Sequence, residues 1–168
     1  MKISPLELSI EGIFTVSKPQ THSVSFKSYK FMKSKTTTGE PRYVLSHRTA
    51  EGLLHDDLYG LDHEEAWLIY LTHHCTFIGK EKISMGTLSG TAIDCKIVLR
   101  HALLNNAAAI IILHNHPSGL SGPSQRDIAF TNQLRRACAL MDISLNDHII
   151  VGEYDFYSFE MEKSYKYI

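Results

Sequence analysis

Residues 108–113 read Ala-Ala-Ile-Ile-Ile-Leu, with no polar residue among them. Asn105 and Asn106 precede the run, and Pro117 and Gly119 follow soon after it. So short and apolar a segment predicts a strand buried on both faces. Such a strand needs cover above and below, and the flanking sequence offers it. Residues 91–106 predict a helix with Ile93, Ile97 and Leu104 along one stripe, ended by the two asparagines. Residues 124–141 predict an amphipathic helix with Ile128, Leu134, Cys138 and Met141 inward. Ser46 is placed to cap a third helix, with Ala50, Leu53 and Leu54 on its inner face. Residues 66–72 and 77–87 predict strands joined as a hairpin at Thr72-His73-His74-Cys75. Residues 147–152 and 155–159 predict two more. Strands alternating with helices indicate an α/β domain with a mixed sheet. A chain of 168 residues suits one domain and is long enough to bury a core without disulfides.

Residues 1–40 form an N-terminal extension to a domain spanning 41–168. Residues 21–31 alternate weakly and read as a strand, and 33–42 as a polar loop. Lys27, Lys30, Lys33 and Lys35, with Tyr29 and Phe31 between them, have the makings of a phosphate contact. A solvated edge explains them better, because charge runs usually just face water. The net charge of −1 weighs against a large nucleic-acid surface. The cysteines, Cys75, Cys95 and Cys138, are odd in number and form no CxxC pair, which reads as reduced thiols. The N-terminal residues lack the apolar core of a signal peptide, and no apolar run is long enough to span a bilayer. The expectation is a cytoplasmic protein. The sequence leaves its oligomeric state open.

The buried strand ends in His114-Asn115-His116. Side chains alternate along an extended chain, so the two histidines point one way and Asn115 the other. Their Cα atoms should lie about 6.6 Å apart, close enough for both rings to converge on one ion. Pro117, Gly119, Gly122 and Pro123 compact the loop that follows. It delivers Ser124 and Asp127 to the start of the next helix. Ser-x-x-Asp is also the pattern of a capping box, and taken alone that reading of the pair is the stronger. Taken with the histidines, Asp127 completes three N/O ligands with one tetrahedral position open, the pattern of a catalytic zinc.

A catalytic zinc needs a nearby base to take a proton from water. Glu81 is the candidate. It shares a strand face with Ile83 and Met85, while Lys80, Lys82 and Ser84 take the other. An acid on an apolar face is costly without a task or a partner. A strand-end glutamate paired with a lysine accounts for it equally well. His73, His74 and Cys75 read as an exposed turn rather than a second metal site, because three adjacent residues cannot surround an ion. His101 reads as a solvated helix residue, and Asp94 as a complement to its helix dipole. His148 reads as a strand-end histidine or as a partner that orients a metal ligand.

His114-x-His116, Ser124 and Asp127, with a glutamate on an earlier strand, resemble the JAMM motif of the JAB/MPN metallopeptidases. The strings HNHPSG (114–119), GTLSGT (86–91) and LNDHIIVGEYDFYSF resemble the RadC-like branch of that family. The resemblance covers residues 41 to 168. It implies a curved mixed sheet flanked by helices. It also implies one Zn²⁺ per chain held by His114, His116 and Asp127, with Glu81 as general acid/base and Ser124 helping to hold the oxyanion. The helix-hairpin-helix region typical of the branch has no counterpart in residues 1–40. The implied activity is a zinc-dependent peptidase or isopeptidase acting on a protein or peptide. The alternatives are a metal-dependent nuclease and a non-catalytic metal-binding module in a DNA-processing setting. The imidazole-rich ligand set tells against the nuclease, since phosphodiester cleavage favours oxygen-rich Mg²⁺ sites. Any DNA association is expected to be weak.

Overall fold

A computed structural model describes residues 42–85 and 93–167. The readings placed on residues 1–41 and on 86–92 lie outside these. The elements run α1 (His47–Gly52), α2 (His55–Leu58), β1 (Glu65–Leu71), β2 (Phe77–Met85), α3 (Cys95–Leu104), β3 (Ala109–Asn115), α4 (Gln125–Leu140), β4 (Ser144–Val151), β5 (Asp155–Ser158) and β6 (Lys163–Lys166). Three helices start where a short polar side chain satisfies a free N–H. Ser46 accepts from Thr49 N and Asp94 from Lys96 N, while Ser124 and Asp127 form a capping box.

The strands form one open mixed sheet in the order β2-β1-β3-β4-β5-β6. All pairings are antiparallel except β3 with β4, and α4 makes the crossover that a parallel pair requires. The apolar run sits at the centre as β3, every residue of it buried. Its alternation divides the core. Ala109, Ile111 and Leu113 pack on the α1/α2 side with Leu54, Leu58 and Phe156. Ile110 and Ile112 pack on the α3/α4 side with Val98, Leu134 and Cys138. Full burial of side chains such as Ile110 and Ile112 contributes about 1.5–3 kcal/mol each. The even-numbered face of β3 continues into His114, which fixes the side on which a site can form.

Several details differ from the sequence expectation. The buried stripe of α3 is Cys95, Val98 and Ala102, and Leu104 is exposed. In α4 the inward residues are Thr131, Leu134 and Cys138, while Ile128 and Met141 are exposed. Leu134 and Cys138 do face inward as expected, and Ile93 packs at the edge of the same cluster. The sheet also gains β6, whose burial alternates too weakly to read from sequence.

Candidate metal centre

The end of β3 and the start of α4 meet through the loop 116–124. Gly119 N donates to the His116 carbonyl at 2.9 Å, and Glu153 N to the Gly119 carbonyl at 2.8 Å. Gly152 lets this loop approach β4, since a Cβ there would lie 2.8 Å from the Gly119 oxygen and 2.9 Å from Ser121 N. The outcome is that His114, His116 and Asp127 offer ligand atoms all within 4.8 Å of one another. His114 is fully buried; His116 and Asp127 are partly so.

The Asp127 carbonyl fixes the order of protons around these residues. It accepts from the Thr131 hydroxyl at 2.6 Å. The Thr131 oxygen therefore accepts from His148 Nδ1, also at 2.6 Å. A neutral His148 then presents Nε2 as an acceptor, and His114 Nδ1 donates to it across 2.9 Å. Burial, with Phe159 stacked on its ring, lowers the His148 pKa well below that of an ordinary histidine, which keeps it neutral. His116 Nδ1 donates to the Leu120 carbonyl at 2.8 Å. Both rings thus leave Nε2 as a lone pair. These two nitrogens are 3.1 Å apart, and lie 3.4 Å and 3.5 Å from Asp127 Oδ1 and Oδ2. Lone pairs and a carboxylate aimed at one point repel unless a cation stands between them. The donor set fits a metal ion, and its imidazole-rich N/O chemistry suits zinc.

The electrostatics agree. Burial by itself raises the Asp127 carboxyl, but hydrogen bonds to His114, His116 and Ser124 outweigh it and hold the group well below the usual carboxylate range; in the metal-free site the imidazole bonds need a proton at Nε2, in the place a cation would take. Burial by itself lowers His116. The Asp127 hydrogen bond, the Leu120 carbonyl and the charges of Asp127 and Glu64 overcome this and raise it.

Ser124 caps the helix, as one of its two expected readings has it, and it also touches Asp127. Its Oγ accepts from Asp127 N at 3.2 Å and donates to Asp127 Oδ2 at 2.5 Å, so the cap also orients the carboxylate. Glu81 is different: the structure does not bring it to the cluster. It pairs in register with Leu68, which pairs with Ile112 rather than His114. Its carboxylate accepts from Tyr70 Oη at 2.9 Å and meets His101 Nδ1 at 3.0 Å. An acid on the apolar face is thus satisfied by a tie between β1, β2 and α3, and its partners are a tyrosine and a histidine, not a lysine. His101 is accordingly half-buried rather than solvated. His73 and His74 are exposed in the β1–β2 turn.

Two residues here, Thr131 and Glu64, escaped the sequence reading, and a third was read only in part. Thr131 follows Asp127 by one helical turn, a signal present in the α4 pattern. His148 was legible only as one of two options. Glu64 was missed. It immediately precedes β1, whose register with β3 ends at Ala66↔His114, and its charge acts on His116. Its neighbour Glu65 is engaged by Trp67 and Lys82.

The family model described as RadC-like JAB domain matches residues 44–165. The chain is 40% identical over 114 residues to the UPF0758 protein YfjY of Escherichia coli, covering 68% of this chain and 71% of that one. It is 32% identical over 164 residues to a UPF0758 protein of Streptococcus uberis, covering 97% and 71% respectively. A UPF0758 protein of Flavobacterium johnsoniae is 34% identical over 116 residues, or 69% of this chain. The chain spans about half the length of that protein and of its Actinobacillus pleuropneumoniae counterparts.

Proposed function

The chain belongs to the RadC-like JAB family, and on that premise we propose that it is a zinc-dependent amide hydrolase of the JAMM type. Its substrate is a peptide or isopeptide bond in a protein or peptide. One observation carries the reading: two imidazole lone pairs and a carboxylate converge on one point, and the charge of a second acid, Glu64, acts on His116 from just before β1.

One Zn²⁺ per chain would be held by His114, His116 and Asp127, where it supplies Lewis-acid chemistry, polarising a carbonyl and making water more acidic. The protein residues have separate tasks. Glu64 takes the proton of the attacking water and returns it to the leaving amine. This is the role expected from sequence for Glu81, which is engaged instead by Tyr70 and His101. His148 and Thr131 hold the His114 ring in one tautomer and orientation. Ser124 orients Asp127 in the free site, and its exposure lets the hydroxyl turn its one proton from Asp127 to the developing oxyanion when a substrate is bound. The net charge of −1 and the imidazole-rich donor set favour an amide over a phosphodiester. Free Cys75, Cys95 and Cys138 suit the reducing cytoplasm, and no helix among the described residues is long and apolar enough to cross a membrane.

The test combines metal analysis with hydrolysis of a broad peptide and isopeptide library by zinc-loaded wild type, Glu64→Gln and Glu81→Gln, with plasmid DNA alongside. The expected result is one zinc per chain in all three and amide hydrolysis abolished by Glu64→Gln alone. Glu64-dependent nicking of the plasmid, with every amide intact, would make the protein a nuclease.

A further inference from the structure

Asn115 stands between the two histidines but offers no atom to their cluster. It is 3% exposed. Its side-chain Oδ1 accepts from the Glu65 N–H at 2.8 Å, and its Nδ2 donates to the His63 carbonyl at 2.8 Å. One planar amide therefore ties both peptide groups that flank Glu64.

The location explains the need. The register of β1 with β3 ends at Ala66↔His114. Chain beyond the last ladder bond frays unless something replaces the missing partner. A primary amide has the acceptor and donor of a peptide unit in a fixed plane, so the Asn115 side chain prolongs β3 by one pairing step. On the opposite side the flanking residues are anchored as well. The Glu65 carboxylate meets Lys82 Nζ at 2.9 Å, Trp67 Nε1 at 3.0 Å and His63 Nε2 at 3.0 Å. With the backbone on both sides of it held and the Glu65 side chain tied to His63, the residue between them has little freedom in where it projects.

We propose that Asn115 is a positioning residue: its side-chain amide clamps the backbone at residues 63–65 so that the Glu64 carboxylate faces His114, His116 and Asp127. The proposal rests on the hydrolase reading, because only that reading gives Glu64 work there. It assigns the middle residue of the His-Asn-His turn a task on the acid, separate from metal binding.

The experiment follows the Glu64 carboxylate by nuclear magnetic resonance in the full chain labelled with ¹³Cδ-glutamate, with Glu64→Gln to identify the signal. Adding one equivalent of Zn²⁺ to wild type is expected to shift that resonance. In Asn115→Leu, of similar shape but without donor or acceptor, the shift should be lost. The ring nitrogen signals of His114 and His116 should still respond to zinc as in wild type, and the Glu65 amide should exchange with solvent faster. Asn115→Asp keeps an acceptor for Glu65 N–H and lacks the donor to His63, so it should show a reduced shift. It also decides the matter if the leucine variant does not fold. A full Glu64 response to zinc in the folded Asn115 variants overturns the clamp. No Glu64 response in wild type overturns the assignment of Glu64 itself, a failure visible before any Asn115 variant is made.

Discussion

Thr131 and His148 meet in the core with 2.6 Å between Oγ1 and Nδ1, and the same hydroxyl donates to the Asp127 carbonyl at 2.6 Å. A threonine one turn along α4 from one ligand thereby sets the tautomer of a histidine that orients another.

Breaking that chain should loosen the metal without removing a ligand. Thr131→Val leaves His148 Nδ1 without its acceptor, and zinc affinity should fall by about 10–100-fold, as for other residues that orient metal ligands. Competition with a chelator of known affinity measures it. Unchanged affinity would mean that the His114 ring is held by packing alone.

Without metal, stability should depend on pH through two groups of opposite sign. Asp127 is depressed in the fold, so its contribution is present above its unfolded value, near 3.8, and is lost only in strong acid as pH falls through the folded value. His116 is raised, so its contribution is full below its unfolded value, near 6.5, and fades as pH climbs through the folded value. The melting temperature of metal-free protein should therefore drop on going from pH 6 into the alkaline range. Zinc, which takes the place of the proton, should remove that drop. A flat profile without metal would count against the proposed pairing.

Ser124→Ala removes both the cap and the donor to Asp127 Oδ2. The expected loss of stability is about 1 kcal/mol, read from thermal or denaturant unfolding. Zinc affinity should fall alongside it. A loss of stability with zinc affinity intact would confine Ser124 to capping.

The two glutamates should separate cleanly. Glu81→Gln weakens the tie to Tyr70 and His101 at a partly exposed position, at a cost of about 1 kcal/mol in unfolding, with zinc binding and hydrolysis retained. Glu64→Gln should retain zinc binding and abolish hydrolysis. The reverse pattern would return the catalytic role to Glu81.

Gly152→Ala should damage the site from a distance. A Cβ there meets the Gly119 oxygen at 2.8 Å, so the loop that links His116 to Ser124 must move. The expected destabilisation is about 1–3 kcal/mol, as for overpacking elsewhere, with reduced zinc binding in the folded fraction.

What the sequence determined by itself was local in origin. An apolar run dictated a doubly buried β3, and the alternation of extended chain put His114 and His116 on one face. The Ser-x-x-Asp pattern dictated a helix start at Ser124. Those short-range rules sufficed to bring the three candidate ligands together, because all three lie within one strand–loop–helix unit. The choice between cap and ligand for Asp127 dissolved in three dimensions, where one carboxylate faces Ser124 and the imidazoles at once. The acid was another matter. Glu81 lies on β2 among apolar neighbours and Glu64 just before β1, and nothing local says which of the two meets the histidines. Only the pairing register decides that the end of β1 reaches His114, with Glu64 just beyond it, while Glu81 falls level with Ile112. Register arises from contacts between segments about 50 residues apart, such as Asn115 with His63 and Glu65, which no periodicity within either segment encodes.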